Sequence, residues 1–251
     1  MIYVALPIHD ERHTAGVLLW RLRVMFYELG RDFHVLAVDD ASTDGTAEVL
    51  EPYQQVLPLT LLRNETCQGY AASLEQAIRA ALKMSHYPKR DALLVMQADF
   101  TDDPTHVADM LRRFQGGSDL VGTHSDSRGA PRSLRAARFG ARFVGRSSGI
   151  PEGFSDPWSG FRMYRLMVLR RAIAALEQGE PLMGRDGWAA NLELLLRVAP
   201  YLRQWDEITV PVDLTRRYRA SRFQAWPQLR SLYQTSREAA GRRATMSGTA
   251  A

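Results

Sequence analysis

The stretch LLVMQADFTDDP, residues 93–104, drives an apolar run into Gln97, Asp99, Asp102 and Asp103. A buried strand that ends in carboxylates presents them to a cation or a polar ligand. VDDASTDGT, residues 38–46, repeats the arrangement with Asp39 and Asp40. Two adjacent acids repel each other unless something compensates. A carboxylate in that position accepts hydrogen bonds from a nucleobase or a ribose, whereas Asp44 reads as turn and N-cap chemistry for the next helix. In ALPIHDE, residues 5–11, Pro7 stops a strand and fixes the backbone. His9 can then stack on a planar base and Glu11 can hydrogen-bond it; an ordinary strand-to-helix loop is the competing reading.

Later in the chain the chemistry turns basic. Only Lys83 and Lys89 are lysines, so almost all of the 32 basic residues are arginine. Arginine forms bidentate contacts with phosphate that lysine cannot. Arg128, Arg132, Arg135, Arg138, Arg142 and Arg146 follow one another with no acid between them, at steps that keep them near one helix face. Six like charges there suggest a polyanionic partner: a phosphorylated substrate, a membrane surface or nucleic acid. A solvated basic face is the plain alternative for any single arginine. The stretch has no aromatic interleaving and the chain no zinc pattern, so nucleic acid is not expected as a partner.

These groups need elements to position them. Ile2–Leu6, Phe33–Val38, Leu59–Leu62, Leu93–Met96 and a short Asp119–Gly122 read as strands. Thr14–Leu29, Tyr70–Lys83 and Val107–Phe114 read as helices, the first with Val17, Leu18, Leu22, Met25 and Leu29 at helical spacing. Alternation of this kind predicts an α/β fold with an open, mostly parallel sheet flanked by helices. Ligands bind such sheets at the carboxyl ends of the strands. Three of those ends carry Pro7–Glu11, Asp39-Asp40 and Gln97–Asp99. Glu193 lies on a later helix and reads as structural.

Composition narrows the field. Hydrophobic content of 45% and charged content of 24% suit a globular domain, and no apolar run approaches the roughly 20 residues of a membrane-spanning helix. MIYVALPIHDE reads as a first strand, not a leader. Cys67 is the only cysteine, so an internal disulfide and a cysteine-built zinc site are excluded and a cytoplasmic location is expected. The last ten residues read as disordered.

The chain resembles the family-two glycosyltransferases of GT-A fold. Pro7-x-x-x-Glu11, VDDASTDGT and the Asp99 loop are similar to that family's nucleotide-binding half. FSDPWSGFRMYR, residues 154–165, looks like the Asp-x-x-Ser-Gly-Phe-Arg stretch of the dolichyl-phosphate mannose synthase branch. Arg216 to Arg222 resembles that branch's Arg-x-x-Gly-x-Ser-Lys, with Arg219 for the glycine and Arg222 for the lysine. The resemblance implies a Rossmann-like domain over 1–225, with a nucleotide-sugar half at 1–123 and an acceptor half at 124–225. Residues 226–251 would then form an amphipathic segment and tail. It implies an inverting enzyme that moves a hexose, mannose from GDP-mannose favoured, to a polyprenyl-phosphate lipid, with peripheral membrane contact.

The same resemblance distributes roles. Pro7, His9, Glu11, Asp39, Asp40, Gln97, Asp99 and Arg128 would bind the nucleotide sugar, and Arg138 and Ser221 the acceptor phosphate. Asp99, Asp156, Arg216 and Arg222 would be catalytic. Asp156 would be a general base toward a hydroxyl acceptor, or a positioning group toward a phosphate; a turn-forming Asp before Pro157 is the third reading. The family's metal-binding Asp-x-Asp here reads Gln97-Ala98-Asp99. That departure leaves Mg²⁺ or Mn²⁺ to Asp99 and the donor phosphates, with the neutral Gln97 amide a weak ligand. It also motivates two alternatives: a transferase acting on a saccharide or small-molecule hydroxyl, and a catalytically weakened sugar-nucleotide-binding protein.

Overall fold

The structure, a computed structural model, describes residues 1–126, 150–211 and 234. The chain runs β1 (Ile2–Ile8), α1 (Ala15–Glu28), β2 (Phe33–Asp40), α2 (Thr46–Leu50), β3 (Leu59–Asn64), α3 (Tyr70–Met84) and β4 (Ala92–Val95). It continues through α4 (Val107–Gln115), β5 (Leu120–Asp126), β6 (Arg162–Arg165), α5 (Leu166–Ala174), α6 (Trp188–Val198) and β7 (Trp205–Pro211). The seven strands form one sheet in the order β3-β2-β1-β4-β6-β5-β7. Within it β6 runs antiparallel to both its neighbours and every other pair is parallel.

Both faces of this sheet are covered, which is why its central strands are apolar throughout and not alternating. Ile2, Val4, Leu6 and Ile8 of β1 point into a core with α1 and α4, built from Leu18, Leu22, Phe26, Met110 and Phe114. Tyr3 and Ala5 point the other way, into a core with Leu74, Ile78, Leu169, Leu194 and Leu195 of α3, α5 and α6. After β1 the chain moves outward to β2 and β3, then returns past β1 to lay down β4. The ends of β1 and β4 therefore flank a topological switch point, where open sheets of this class hold ligands.

The expected helices and the first four strands form at nearly their expected bounds. Three features differ. The fifth strand begins at Leu120, because Asp119 is buried in a charge cluster: its carboxylate accepts from Arg165 Nε at 2.7 Å and from Arg203 N and Nε at 3.1 and 3.0 Å. Strands β6 and β7 are new, since RMYR and WDEITVP carry too many polar residues to read as strands. Their pairing is fixed by neighbours distant in sequence. Val17 lies outside the core, 53% exposed, on an outward stripe with Trp20, Val24 and Tyr27, so α1 is apolar on two sides. Among the described residues no helix is long and apolar enough to cross a membrane.

Candidate active site

Register brings the first two strand ends together. Ile8 of β1 lies opposite Asp39 of β2, and Ala5 lies opposite Val95 of β4 with Met96 N donating to Ala5 O at 3.3 Å. The loops that follow bind each other side chain to backbone. His9 Nδ1 meets Asp40 O at 2.7 Å, which fixes the ring; Asp10 N donates to Ser42 Oγ at 2.9 Å and Thr43 N returns a bond to Asp10 Oδ1 at 2.9 Å. Glu11 N donates to Thr46 Oγ1 at 2.8 Å, and the buried Glu11 carboxylate accepts from Thr14 Oγ1 at 2.7 Å. Asp44 accepts from Thr46 N at 3.0 Å and from Arg12 N at 3.1 Å. Asp44 thus has the turn task that its residue type suggests, but it is not the N-cap of α2: that position is Gly45, at φ 91°.

The adjacent acids Asp39 and Asp40 are both buried, at 2% and 4% exposure, yet they face different surroundings. Asp40 Oδ1 accepts from Asn64 Nδ2 and Gln68 N, both at 2.8 Å. Its Oδ2 accepts from Gly69 N at 2.8 Å and from the Cys67 thiol at 3.2 Å. Burial alone would raise the Asp40 pKa, but these donors outweigh it and hold the group below the usual carboxylate value. Asp40 therefore fastens the β3–α3 loop. Asp39 is more lightly held, by Ser42 N at 3.2 Å on Oδ1, with Arg63 Nε 3.9 Å from Oδ2.

The loop after β4 is tied to itself. Asp99 Oδ1 accepts from Thr101 N at 2.9 Å, and Asp102 Oδ2 accepts from Gln97 N at 2.8 Å. Asp103 caps the turn at Pro104 through Thr105 N at 3.0 Å. The buried Asp102 closes the Gln97–Asp102 loop instead. Among the described residues, the non-glycine residues in the left-handed region are Asp10, Ala41 and Phe100, with φ of 53°, 56° and 60°. One lies in each of the loops after β1, β2 and β4. Left-handed backbone costs a non-glycine residue about 1–2 kcal/mol. Such strain persists where surrounding contacts over-determine it, and it clusters at ligand sites.

A second polar centre lies across the sheet at Phe154–Arg162. Asp156, 6% exposed, accepts from Trp158 N at 3.2 Å and Ser159 N at 3.1 Å through Oδ1. Glu207 of β7 accepts from Ser155 N at 2.9 Å and Asp156 N at 3.3 Å. Beneath the turn, Arg162 is 0% exposed. It donates to Pro157 O at 2.6 Å, Asn191 O at 2.8 Å, Tyr164 Oη at 3.2 Å and Asp156 O at 3.4 Å, and lies 5.4 Å from the Phe154 ring centroid. Sequence reading names Asp156 but passes over Arg162, Asn191 and Glu207. Glu193 accepts from Gly184 N at 2.7 Å and Arg185 N at 3.0 Å, which is the structural task expected of it.

The family model for glycosyl transferase family 2 matches residues 3–172. The chain belongs to glycosyl transferase family 2. Curated relatives of this family 2 chain include the undecaprenyl-phosphate 4-deoxy-4-formamido-L-arabinose transferase of Pseudomonas paraeruginosa, 28% identical over 187 residues, 71% of this chain and 51% of that protein. The enzyme of the same name from Edwardsiella ictaluri is 25% identical over 183 residues, 70% of this chain and 53% of that protein. The chain spans about half the length of the curated relatives it matches. Among solved structures, glucosyl-3-phosphoglycerate synthase from Mycobacterium tuberculosis, with Mn²⁺, uridine-diphosphate and phosphoglyceric acid, aligns at TM-score 0.66. It is 18% identical, and the alignment covers 96% of this chain and 78% of that one. Mannosyl-3-phosphoglycerate synthase from Rubrobacter xylanophilus aligns at TM-score 0.64 and 17% identity, over 99% of this chain and 75% of that one. These likenesses establish the GT-A fold.

Of the expected site residues of this family 2 domain, Arg128, Arg138, Arg216, Ser221 and Arg222 lie outside the described residues, as do the rest of the arginine run and the 226–251 segment. His9, Glu11, Gln97 and Asp99 lie in the loops of the switch-point edge, whereas Pro7 and Asp39 lie in β1 and β2; Pro7 does not stop its strand, which runs on to Ile8 because parallel pairing with β2 continues through Pro7 and Ile8. Among the described residues no group of three or more His, Cys, Asp or Glu side chains could hold a metal. The donor set at the β4 loop, one carboxylate and one amide oxygen, suits a cation held chiefly by a substrate's phosphates. A depression of about 550 Å³ between α3 and the end of α5, lined by Glu75, Arg79 and Glu177, is separate from these loops. Glu75 there is engaged by Arg79 and Leu182 N.

Proposed function

We propose that the chain is an inverting glycosyltransferase domain that moves a hexose from a nucleotide diphosphate sugar to a polyprenyl-phosphate acceptor. The observation that supports this best is the placement of three segments, each with one residue of left-handed backbone and carrying or adjoining Glu11, Asp39 and Asp99, at the switch-point edge of a family 2 fold. In this reading Pro7, His9 and Glu11 seat the nucleobase, and Asp39 accepts from nucleoside donors. Asp40 shapes the loop beside them by holding Gln68 and Gly69. Asp99 addresses the diphosphate, and a divalent cation bound there with Gln97 would supply positive charge to the leaving group. Arg128, Arg216 and Arg222 would add the same charge from the chain, and Arg138 and Ser221 would hold the acceptor phosphate. Stabilising the leaving diphosphate is the main electrostatic task of such a site.

In this proposal the donor half spans 1–123 and the acceptor half 124–225, and the acceptor brings the chain to a membrane surface. A phosphate monoester is already an anion, so it needs no general base, and Asp156 then sets the acceptor's position. Mannose and GDP follow from the motif resemblance alone. The names of the curated relatives concern a formamido-arabinose, and a solved structural neighbour contains uridine-diphosphate. A thermal-shift panel of GDP-, UDP- and dTDP-sugars, with and without Mn²⁺, reads base, sugar and metal together, because bound ligand raises the melting point by mass action. Transfer to undecaprenyl phosphate in micelles then tests the acceptor. A donor that binds and turns over with no lipid phosphate, but does so with a soluble hydroxyl acceptor, overturns the lipid reading.

A further inference from the structure

A continuous polar bridge crosses the interior between the two centres. Its donor-side end is the β3–α3 loop, fixed by Asp40 through Gln68 N and Gly69 N. Tyr70, the first residue of α3, donates its hydroxyl to Asn191 Oδ1 at 2.9 Å. Burial raises the Tyr70 phenol well above its ordinary value, so it stays a donor throughout the working pH range. Asn191, buried on α6, passes the connection on twice. Its Nδ2 donates to Trp158 O at 3.0 Å, and its backbone O accepts from Arg162 at 2.8 Å. Arg162 in turn holds the carbonyls of Pro157 and Asp156. The crossing is tight at Gly160, where a Cβ would stand 2.9 Å from Tyr70 Oη and 3.1 Å from Asn191 Nδ2. A second tie runs alongside, Asp186 Oδ1 accepting from Ala71 N at 2.8 Å.

We propose that Tyr70, Asn191 and Arg162 are positioning residues which set the Asp156–Ser159 turn from the nucleotide side of the molecule. A loop with three successive carbonyls, those of residues 156, 157 and 158, directed at one buried guanidinium and one buried amide has little freedom of its own. Its geometry follows the frame that carries those groups, and the Tyr70 hydroxyl is the side-chain bond that joins Asn191 of that frame directly to α3. The acceptor role of the turn rests on the glycosyltransfer reading; the mechanical dependence does not.

Tyr70→Phe removes the hydroxyl and keeps the ring. Arg162→Lys keeps the charge and loses the fork that spans two carbonyls at once. In both variants of the full chain, the Trp158 and Ser159 amides, which bond to Asp156 Oδ1, should exchange with solvent roughly 3- to 30-fold faster. Amides of β1 and β2 should stay within about twofold of wild type. Where transfer is measurable, acceptor KM should rise by a comparable factor, while UDP or GDP affinity by calorimetry is unchanged. Unchanged exchange at Trp158 and Ser159 in both variants overturns the proposal, whether or not transfer is ever observed. Acceleration spread evenly over β1, β2 and the turn also overturns it, because that is loss of global stability. Failure of transfer in the wild type, with turn exchange responding as expected, sinks the acceptor assignment and leaves the positioning intact.

Discussion

Around the ends of β1, β2 and β4, hydrogen bonds run between neighbouring loops or within one loop: Asp10 with Ser42 and Thr43, Glu11 with Thr46, Asp102 with Gln97. Around Phe154–Arg162 the bonds within the turn, from Trp158 N and Ser159 N to Asp156, are joined by others that run far along the chain, to Glu207 and to Asn191. The first region stores backbone strain in Asp10, Ala41 and Phe100; the second contains a buried cation instead. Strand ends on a parallel sheet already bring their loops side by side, so short-range polar bonds suffice to shape them. A turn that enters the antiparallel β6 has no such neighbour, and its shape is imposed from below. The contrast predicts that single changes in the first region act on donor chemistry. Changes in the second should act first on stability and on acceptor geometry.

The sharpest way to break that contrast is Asp99→Ala. Transfer should fall by about 10²–10³-fold, the loss typical of one group that stabilises developing charge, with the melting point little changed. Wild-type turnover would remove Asp99 from the mechanism. Asp119→Asn should reveal how far the sheet beside the second region, at the start of β5 and the end of β6, leans on buried charge. It removes the charge on which Arg165 and the exposed Arg203 converge, and should lower unfolding free energy by about 1–3 kcal/mol, chiefly through the half-buried Arg165, in denaturant titration. Asp156→Asn keeps an oxygen for Trp158 N and Ser159 N. With a phosphate acceptor the loss of kcat should stay below about tenfold; a loss of 10²-fold or more, the range of general-base catalysis, would establish a hydroxyl acceptor.

A pH titration sharpens the comparison from both sides. For Asp40, burial pushes the pKa up but bonds from Gln68 N, Asn64, Cys67 and Gly69 N win. For Asp119, burial again pushes up and Arg203 and Arg165 win. Both folded values lie below the unfolded one. Their contribution is therefore complete above the unfolded pKa, near 4, and disappears as pH falls through the depressed folded values. Asp40→Asn and Asp119→Asn should each flatten the acid limb of the stability curve; an unaltered limb contradicts the assignment. The smallest effect is expected at Ala41→Gly. Relief of left-handed strain, about 1–2 kcal/mol, is offset by about 0.5–1 kcal/mol of glycine entropy, so the melting point should rise slightly. A fall would mean that the Ala41 methyl makes a contact worth more than the strain.

Much of the first region is legible in the sequence, since apolar runs that lead into Pro7, Asp39 and Gln97 announce parallel strands and the edge where their carboxyl ends lie. The division between Asp39 and Asp40 is not legible, because it depends on Asn64 at the end of β3 and on Gln68 and Gly69 folding back from the β3–α3 loop. Nor is β6, whose first residue, Arg162, closes a motif in the sequence but shows its buried task only where the carbonyls of residues 156, 157 and 191 surround it. Val17 misleads for a related reason: helical spacing reveals that a helix forms but not which of two apolar faces turns inward.

The four-donor cradle around one of two neighbouring acids sets terms for re-engineering donor choice. A library that randomised position 40 would cut the bonds that fix the β3–α3 loop before it sampled any new base. On the proposed reading, diversity belongs at 39, with Asp40, Asn64, Gln68 and Gly69 held as fixed framework.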